Sequence, residues 1–450
     1  MHRFLRAFAL ALGTLLAPAQ VVEESLQADP GPLDFIQGDS YEQWILQSLA
    51  GDALVGIRPD GSLTPRLATT WTRHPDGTLS FTLRKDARFA DGSAVSAGDV
   101  LWTFRELQRT PRASATKRAI LASAEFGELQ GRPWLRSPKP PGRLLLELAR
   151  VPIAQRGQPG QGSGPFAFHR EPGAWVFTRR EHFLRPGIDG LRFRLLPDPT
   201  AVQMALRKGW LTLGAPLAAP EAEPPSTHRR LTQPLHAQFV VWSRLGPGPL
   251  RLLERWRRDA FPARLLGRNA RPSRGLWPET LGFPVQSIQA NRTPSPPAQL
   301  VLHHAAGDAA LERLLLALRE RARRDGCDLH LRPLEQGLLQ ERLQKGDFQL
   351  AGSVVFFEPQ PWAVLEYLEP TGPMNFTGWR HARLEALTAR LRQPGDAAWE
   401  ELQGLWSRAP AALPLLDFQS VIWVDRRLLV EPSPVGLYLH TPGAAGWRWR

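Results

Sequence analysis

Between Leu300 and Phe357 the apolar residues switch repeatedly between strand-like and helical spacing, and this constrains the fold more than any other stretch. LVLHH, Leu300 to His304, is a short run of strand length. Leu311, Leu314, Leu315 and Leu318 then recur at helical spacing between Ala310 and Arg324, before Gly326 stops the segment. CDLHLRPL alternates as a second strand, Leu338, Leu339 and Leu343 mark a second helix, and GDFQLAGSVVFF is a third strand. Parallel strands need long crossovers, so β-α-β-α-β predicts an α/β fold with helices covering a parallel sheet. Ligands gather at the carboxyl ends of strands in such sheets, which points to the turn FFEPQPW, Phe356 to Trp362.

The first half reads differently. LDFIQGDSYEQWILQSL predicts a packing helix that begins near Asp39 or Ser40, with Trp44, Ile45, Leu46 and Leu49 as its apolar positions. Asp60-Gly61, Asp76-Gly77 and Asp91-Gly92 follow, and Asp-Gly between alternating apolar residues is a strong hairpin signal because both turn positions accept positive φ. Thr78 to Arg84 alternates, placing Leu79, Phe81 and Leu83 on one strand face. Ser96 to Asp99 has capping-box spacing and opens a helix through Val100, Phe104 and Leu107. LLLELARV, Leu144 to Val151, is expected as a strand, and QRGQPGQGSGP as a loop leading to a strand at Phe166. Asp198-Pro199 caps another helix through Val202, Ala205 and Leu206, ended by Gly209, and AQFVVWS, Ala237 to Ser243, is a further strand.

At 450 residues the chain is long enough for two or three packed units. Its net charge of +13 does not indicate nucleic acid: only five of the 56 basic residues are lysines, the arginines are scattered, and no recognition module appears. The start, MHRFLRAFALALGTLLAPAQ, has a basic head, an apolar run from Ala7 to Leu16 and a small-residue Ala17-Pro18-Ala19 site, so residues 1–19 are expected to be a cleaved signal peptide. The single cysteine, Cys327, allows no internal disulfide and stands far from the position of a lipid anchor. The expectation is a periplasmic protein without a lipid anchor. Catalysis is not expected. Ser163 in GQGSGP does not form a nucleophile elbow, no phosphate loop is present, and no cofactor is expected. His303 and His304 are adjacent on a strand and point to opposite faces, so they predict no metal site.

DGSLTPRLATTW, DGTLSFTLRKDARFADGSAVSAGDVLWTF, GSGPFAF, LPDPTAVQMALRKG, KGDFQLAGSVVFFEPQPW and MNFTGW occur in this order. The chain from about Leu33 onward thereby resembles the bacterial extracellular solute-binding proteins of family 5, the dipeptide, oligopeptide and nickel receptors of ABC importers. The resemblance implies a two-lobe periplasmic binding protein fold, type II and cluster C-like, with an extra domain inserted in the first lobe. By that analogy residues 20–40, 163–235 and 418–450 form the first lobe, 41–162 the inserted domain and 236–417 the second lobe. It also implies capture of a peptide or similar small solute between the lobes by a monomer, and delivery to ABC permease subunits in the inner membrane.

Peptide-binding members that the chain resembles carry an Asp after the third strand of the second lobe, where it holds the peptide's amino group. The corresponding turn here, SVVFFEP, has none. Glu358 is either a replacement carboxylate or a solvated loop residue. The stretch before GSGP is also shorter than usual, which implies a trimmed inserted domain. Pockets combine aromatic walls with a few convergent polar groups, so Trp242, Phe356, Phe357, Trp362 and Trp379 are candidate walls and Asn375 and Glu358 candidate polar groups. The missing Asp keeps two alternatives open: a binding-deficient relative acting as a periplasmic sensor or assembly partner, and a receptor for a non-peptide solute such as a metal chelate or a sugar.

Overall fold

The computed structural model describes residues 20–450 apart from 27, 39, 59–61, 140, 182–186, 216–221, 261–269, 276–287, 289–293, 308, 358–363, 371, 385, 388–396 and 431–446. The expected signal peptide, the Asp60-Gly61 turn, Glu358 and Trp362 therefore lie outside the described residues.

Strand β1 (Val21–Leu26) alternates half-buried and buried residues and is followed by helix α1 (Tyr41–Ala50). Ser40 caps α1 by accepting from the Gln43 amide at 3.1 Å, as the sequence predicts. The middle unit follows. β2 (Ala68–Arg73) and β3 (Leu79–Leu83) form the expected hairpin, with Gly77 at φ +84° in its Asp-Gly turn. α2 (Ala97–Arg109) starts at the predicted capping box, where the Ser96 amide and hydroxyl donate to Asp99 Oδ2 at 2.8 and 2.6 Å. α3 (Ala115–Leu121), β4 (Glu125–Leu129), β5 (Arg132–Arg136) and α4 (Pro141–Leu148) complete the unit, whose sheet runs β2-β3-β5-β4.

α4 corrects the sequence reading, because LLLELARV is mostly helix. Leu144, Leu145 and Leu148 turn one face into the core, while Arg143 and Glu147, four residues apart, pair at 2.7 Å on the other. QRGQPGQG is likewise not simply a loop: Ala154–Gln155 and Gln158–Gly162 pair as a short hairpin around Gly157.

The chain then returns to the first lobe. β6 (Phe166–Glu171), β7 (Ala174–Arg179) and β8 (Gly190–Leu195) make the sheet β1-β8-β7-β6, in which β1 and β8 are parallel. Asp198 caps α5 (Pro199–Arg207) by accepting from the Thr200 amide at 2.9 Å. β9 (His228–Ser243) next runs into the second lobe, which contains α6 (Pro247–Ala260), β10 (Gln299–Ala305), α7 (Ala309–Arg324), β11 (Asp328–Leu334), α8 (Gln336–Lys345), β12 (Leu350–Phe357), α9 (Leu365–Leu368) and α10 (Ala397–Arg408). β10 pairs parallel with both β11 and β12, so the predicted β-α-β-α-β run is present with the spatial order β12-β10-β11. β13 (Ala412–Asp425) pairs antiparallel with β9 along almost its whole length.

Three large apolar cores follow this division. One gathers β1, α1 and β6–β8 with Ile422 and Val424. The second belongs to the middle unit, and the third holds Trp242, Trp256, Trp399 and Trp406 in the second lobe. α1 packs in the first of these cores, through Ile45, Leu46 and Leu49, so a domain boundary drawn before it at residue 41 separates it from its own core. β9 and β13 contribute residues to both the first-lobe and the second-lobe cores, and their register shifts between Gln233 and His236. The GSGP motif braces the first lobe. A Cβ on Gly164 would lie 2.6 Å from backbone atoms of Leu49, Ala50 and Gly51, so only glycine lets this bend approach the end of α1. Among the described residues no helix is long and apolar enough to cross a membrane.

Candidate functional site

A cleft of about 570 Å³ lies between the middle unit and the second lobe. One wall is α3, which is fixed at its start: the Ser114 amide donates to Ile36 O at 2.8 Å, and its hydroxyl accepts from the Lys117 amide at 3.2 Å. Thr116, Lys117, Ile120 and Leu121 are buried, which leaves Ala115, Arg118 and Ala119 facing the cleft. The opposite wall is the loop from Pro370 to Gly378, with Arg244 and Lys345 beside it. Asn375 ties that loop together. Its Nδ2 donates to Glu369 O at 3.1 Å and to Trp379 O at 2.9 Å, and its Oδ1 accepts from the Trp379 amide at 2.8 Å. The described lining includes the cations Arg118 and Arg244, with Lys345 paired to Glu341 at 2.5 Å, and the two arginines favour an anionic or carboxylate-bearing group in the cleft.

The expected site residues separate in the fold. Trp242 is 1% exposed, stacks on Tyr367 at 6.0 Å and meets Phe376 edge-on at 5.1 Å; it is core beneath the wall, and Phe376 is the aromatic that lines the cleft. This corrects Trp242 as a wall residue. A β-branched and aromatic strand pattern marks burial without saying on which side of the sheet the solvent lies. Trp379 is half-buried beside the lining residue Gly378, where it packs against the second-lobe core and donates its indole N–H to Ala409 O at 2.9 Å. Asn375 does line the cleft, but its amide is committed to the loop. Phe356 and Phe357 end β12 opposite Ala237 and His236, beside the register break of β9. His303 is half-buried and His304 buried along β10, in alternation, and no group of metal-ligating side chains occurs among the described residues.

The charged seam beside the cleft was not anticipated from sequence. Lys117 is fully buried, with its ammonium donating to Phe35 O at 2.8 Å and Gln47 Oε1 at 2.6 Å while standing 4.9 Å over the Trp44 ring. Arg150 covers the same ring at 5.4 Å and donates to Glu366 Oε1 at 2.7 Å. Arg143 donates to both carboxylate oxygens of Glu369, at 2.9 and 3.0 Å, and to Glu147 at 2.7 Å. Burial works against the charge of Arg143, yet the carboxylates of Glu369 and Glu147 outweigh it and hold the guanidinium well above its usual pKa. At the buried position of Lys117 the compact ammonium fits where a planar guanidinium would need more room, but the lysine itself was no signal, since Lys85 and Lys208 are exposed.

Residues 62–130 match the family described as bacterial extracellular solute-binding proteins, family 5 Middle. The nickel-binding periplasmic protein of Escherichia coli (strain K12) is 27% identical over 273 residues, 52% of this chain and 50% of that protein. The periplasmic murein peptide-binding protein MppA of the same organism is 30% identical over 96 residues, 21% of this chain and 18% of its own. The alignments thus span half or less of these relatives. The fold is matched throughout: the periplasmic binding protein DppA from Helicobacter pylori, solved in complex with the peptide STSA, superposes with a TM-score of 0.80 at 16% identity over 95% of this chain and 98% of that one.

Proposed function

We propose that this chain, which has the two-lobe binding-protein fold and matches family 5 of the bacterial extracellular solute-binding proteins over residues 62–130, is the periplasmic receptor of an ABC importer, capturing a small solute between its lobes and presenting it to an inner-membrane permease. The observation that carries this reading is the pair of strands β9 and β13, which contribute residues to both the first-lobe and the second-lobe cores while a cleft of about 570 Å³ separates the second lobe from the middle unit. Two continuous strands permit a hinge, and a hinge beside a cleft allows solute binding to shift an open–closed equilibrium. A peptide is the solute class we favour. The cationic lining suits a peptide carboxylate, Glu358, which follows β12 in sequence, is the carboxylate we assign to its amino group, and the structural relative from Helicobacter pylori was solved with a peptide bound. The chain works by binding, with no chemical step of its own, after export through the leader at residues 1–19.

Calorimetric titration of refolded, solute-free protein with short peptides and their N-acetylated forms tests both parts. The expected result is saturable binding of one peptide per chain, weakened at least tenfold by acetylation in the wild type but equally weak for both forms in Glu358→Ala. Binding with no acetylation effect would remove Glu358 from the site. No binding of any peptide, with binding of a nickel chelate, would move the solute class toward that of the nickel-binding relative.

A further inference from the structure

We propose that Arg143 and Arg150 of the middle unit, with Glu369 and Glu366 of the second lobe, form an ionic latch that holds the cleft shut. The inference goes beyond the receptor reading and needs no solute for its test. The partners are 226 and 216 residues apart in sequence, and the elements that carry them pack into different apolar cores, so these bonds join two separately packed units. Glu366 and Glu369 stand three residues apart on and just after α9, and Arg143 on α4 and Arg150 in the turn just after it meet them.

The arginine side is fixed beforehand. Glu147 accepts from Arg143 Nε at 2.7 Å and from Lys139 Nζ at 2.7 Å, which aims the remaining guanidinium edge at Glu369 as a two-bond fork. Arg150 is held over Trp44 of α1, so the first lobe also positions one partner. The second-lobe carboxylates are accessible enough to be released: the Glu366 and Glu369 side chains are 18% and 22% exposed.

The pairs also lie at the margin of the cleft. Glu369 directly precedes Pro370 in one wall, and Lys139 donates to the carbonyl of Ala119 in the other at 2.8 Å. Paired charges taken out of water lose desolvation energy that offsets much of their attraction, and that balance suits a contact which opens and closes. The latch therefore keeps part of the population closed without solute, and salt shifts it toward the open form.

The experiment is small-angle X-ray scattering of solute-free protein at about 0.01 M and about 1 M salt, between which the screening length falls from about 30 to about 3 Å. Wild type should be compact at low salt and show a larger radius of gyration at high salt. Glu366→Gln combined with Glu369→Gln should be expanded in both, with unchanged far-ultraviolet circular dichroism. The reversals Arg150→Glu and Glu366→Arg should each expand the protein at low salt, and the two together should restore the compact, salt-responsive form. A double glutamine variant that scatters like wild type at both salts overturns the latch. If that variant loses its fold, the reversal pair decides: rescue supports the latch and failure of rescue overturns it.

Discussion

Asp325 shows how local contacts set the chemistry of one side chain here. The hydrogen bond from Arg321 Nη1 at 2.5 Å, then that from Trp256 Nε1 at 2.9 Å, with Arg255 alongside, holds its carboxyl down at about 2. A carboxyl depressed in the fold stabilises the protein above its unfolded pKa of about 3.9, and that stability is lost as pH falls toward the folded value. Asp325→Asn should therefore lower the urea midpoint at neutral pH, with the difference from wild type closing between about pH 4 and pH 2. A difference that stays constant into acid would show that the ion pair is not its source. At this scale the sequence was least legible. Trp242, read as a cleft wall, is core because Tyr367 and Phe376 cover it, and neither neighbour is predictable from the run AQFVVWS. Arg143 and Arg150 were two among many scattered arginines, since an ion pair with a residue over 200 positions away leaves no local periodicity.

Elements were legible where their ends carry chemistry. Ser40, the Ser96 to Asp99 box and Asp198 all start helices as their side chains predict, because a capping oxygen acts within three residues. LLLELARV failed because a short apolar run fits a buried strand and a helix equally; the Arg143–Glu147 spacing was the available discriminator. GSGP was recognisable as a structural motif, and the contact behind it sets a test. Gly164→Ala places a Cβ 2.6 Å from backbone atoms at the end of α1, where no flexible side chain can give way. The variant should lose about 1–3 kcal/mol by denaturant unfolding, with the first lobe opening before the second in hydrogen exchange. Unchanged stability would mean that α1 shifts freely and does not brace the lobe.

For the whole molecule, the β-α-β-α-β run made the second lobe legible, while the hinge was not, since AQFVVWS marks only the second-lobe half of β9. The pairing of β9 with β13 joins residues far apart in the chain, and the register shift near His236 depends on both strands. On the proposed reading, the two strands bend, the latch adjusts the resting state and a solute completes closure. The central claim is that the cleft holds a small solute. The most direct test is mass spectrometry of what the mature protein, purified without denaturation from the periplasm, releases when it is unfolded. The account predicts a defined set of small molecules, peptides foremost, at roughly one per chain and absent from refolded protein. A protein that releases nothing, and whose melting temperature no peptide or chelate raises, would contradict it.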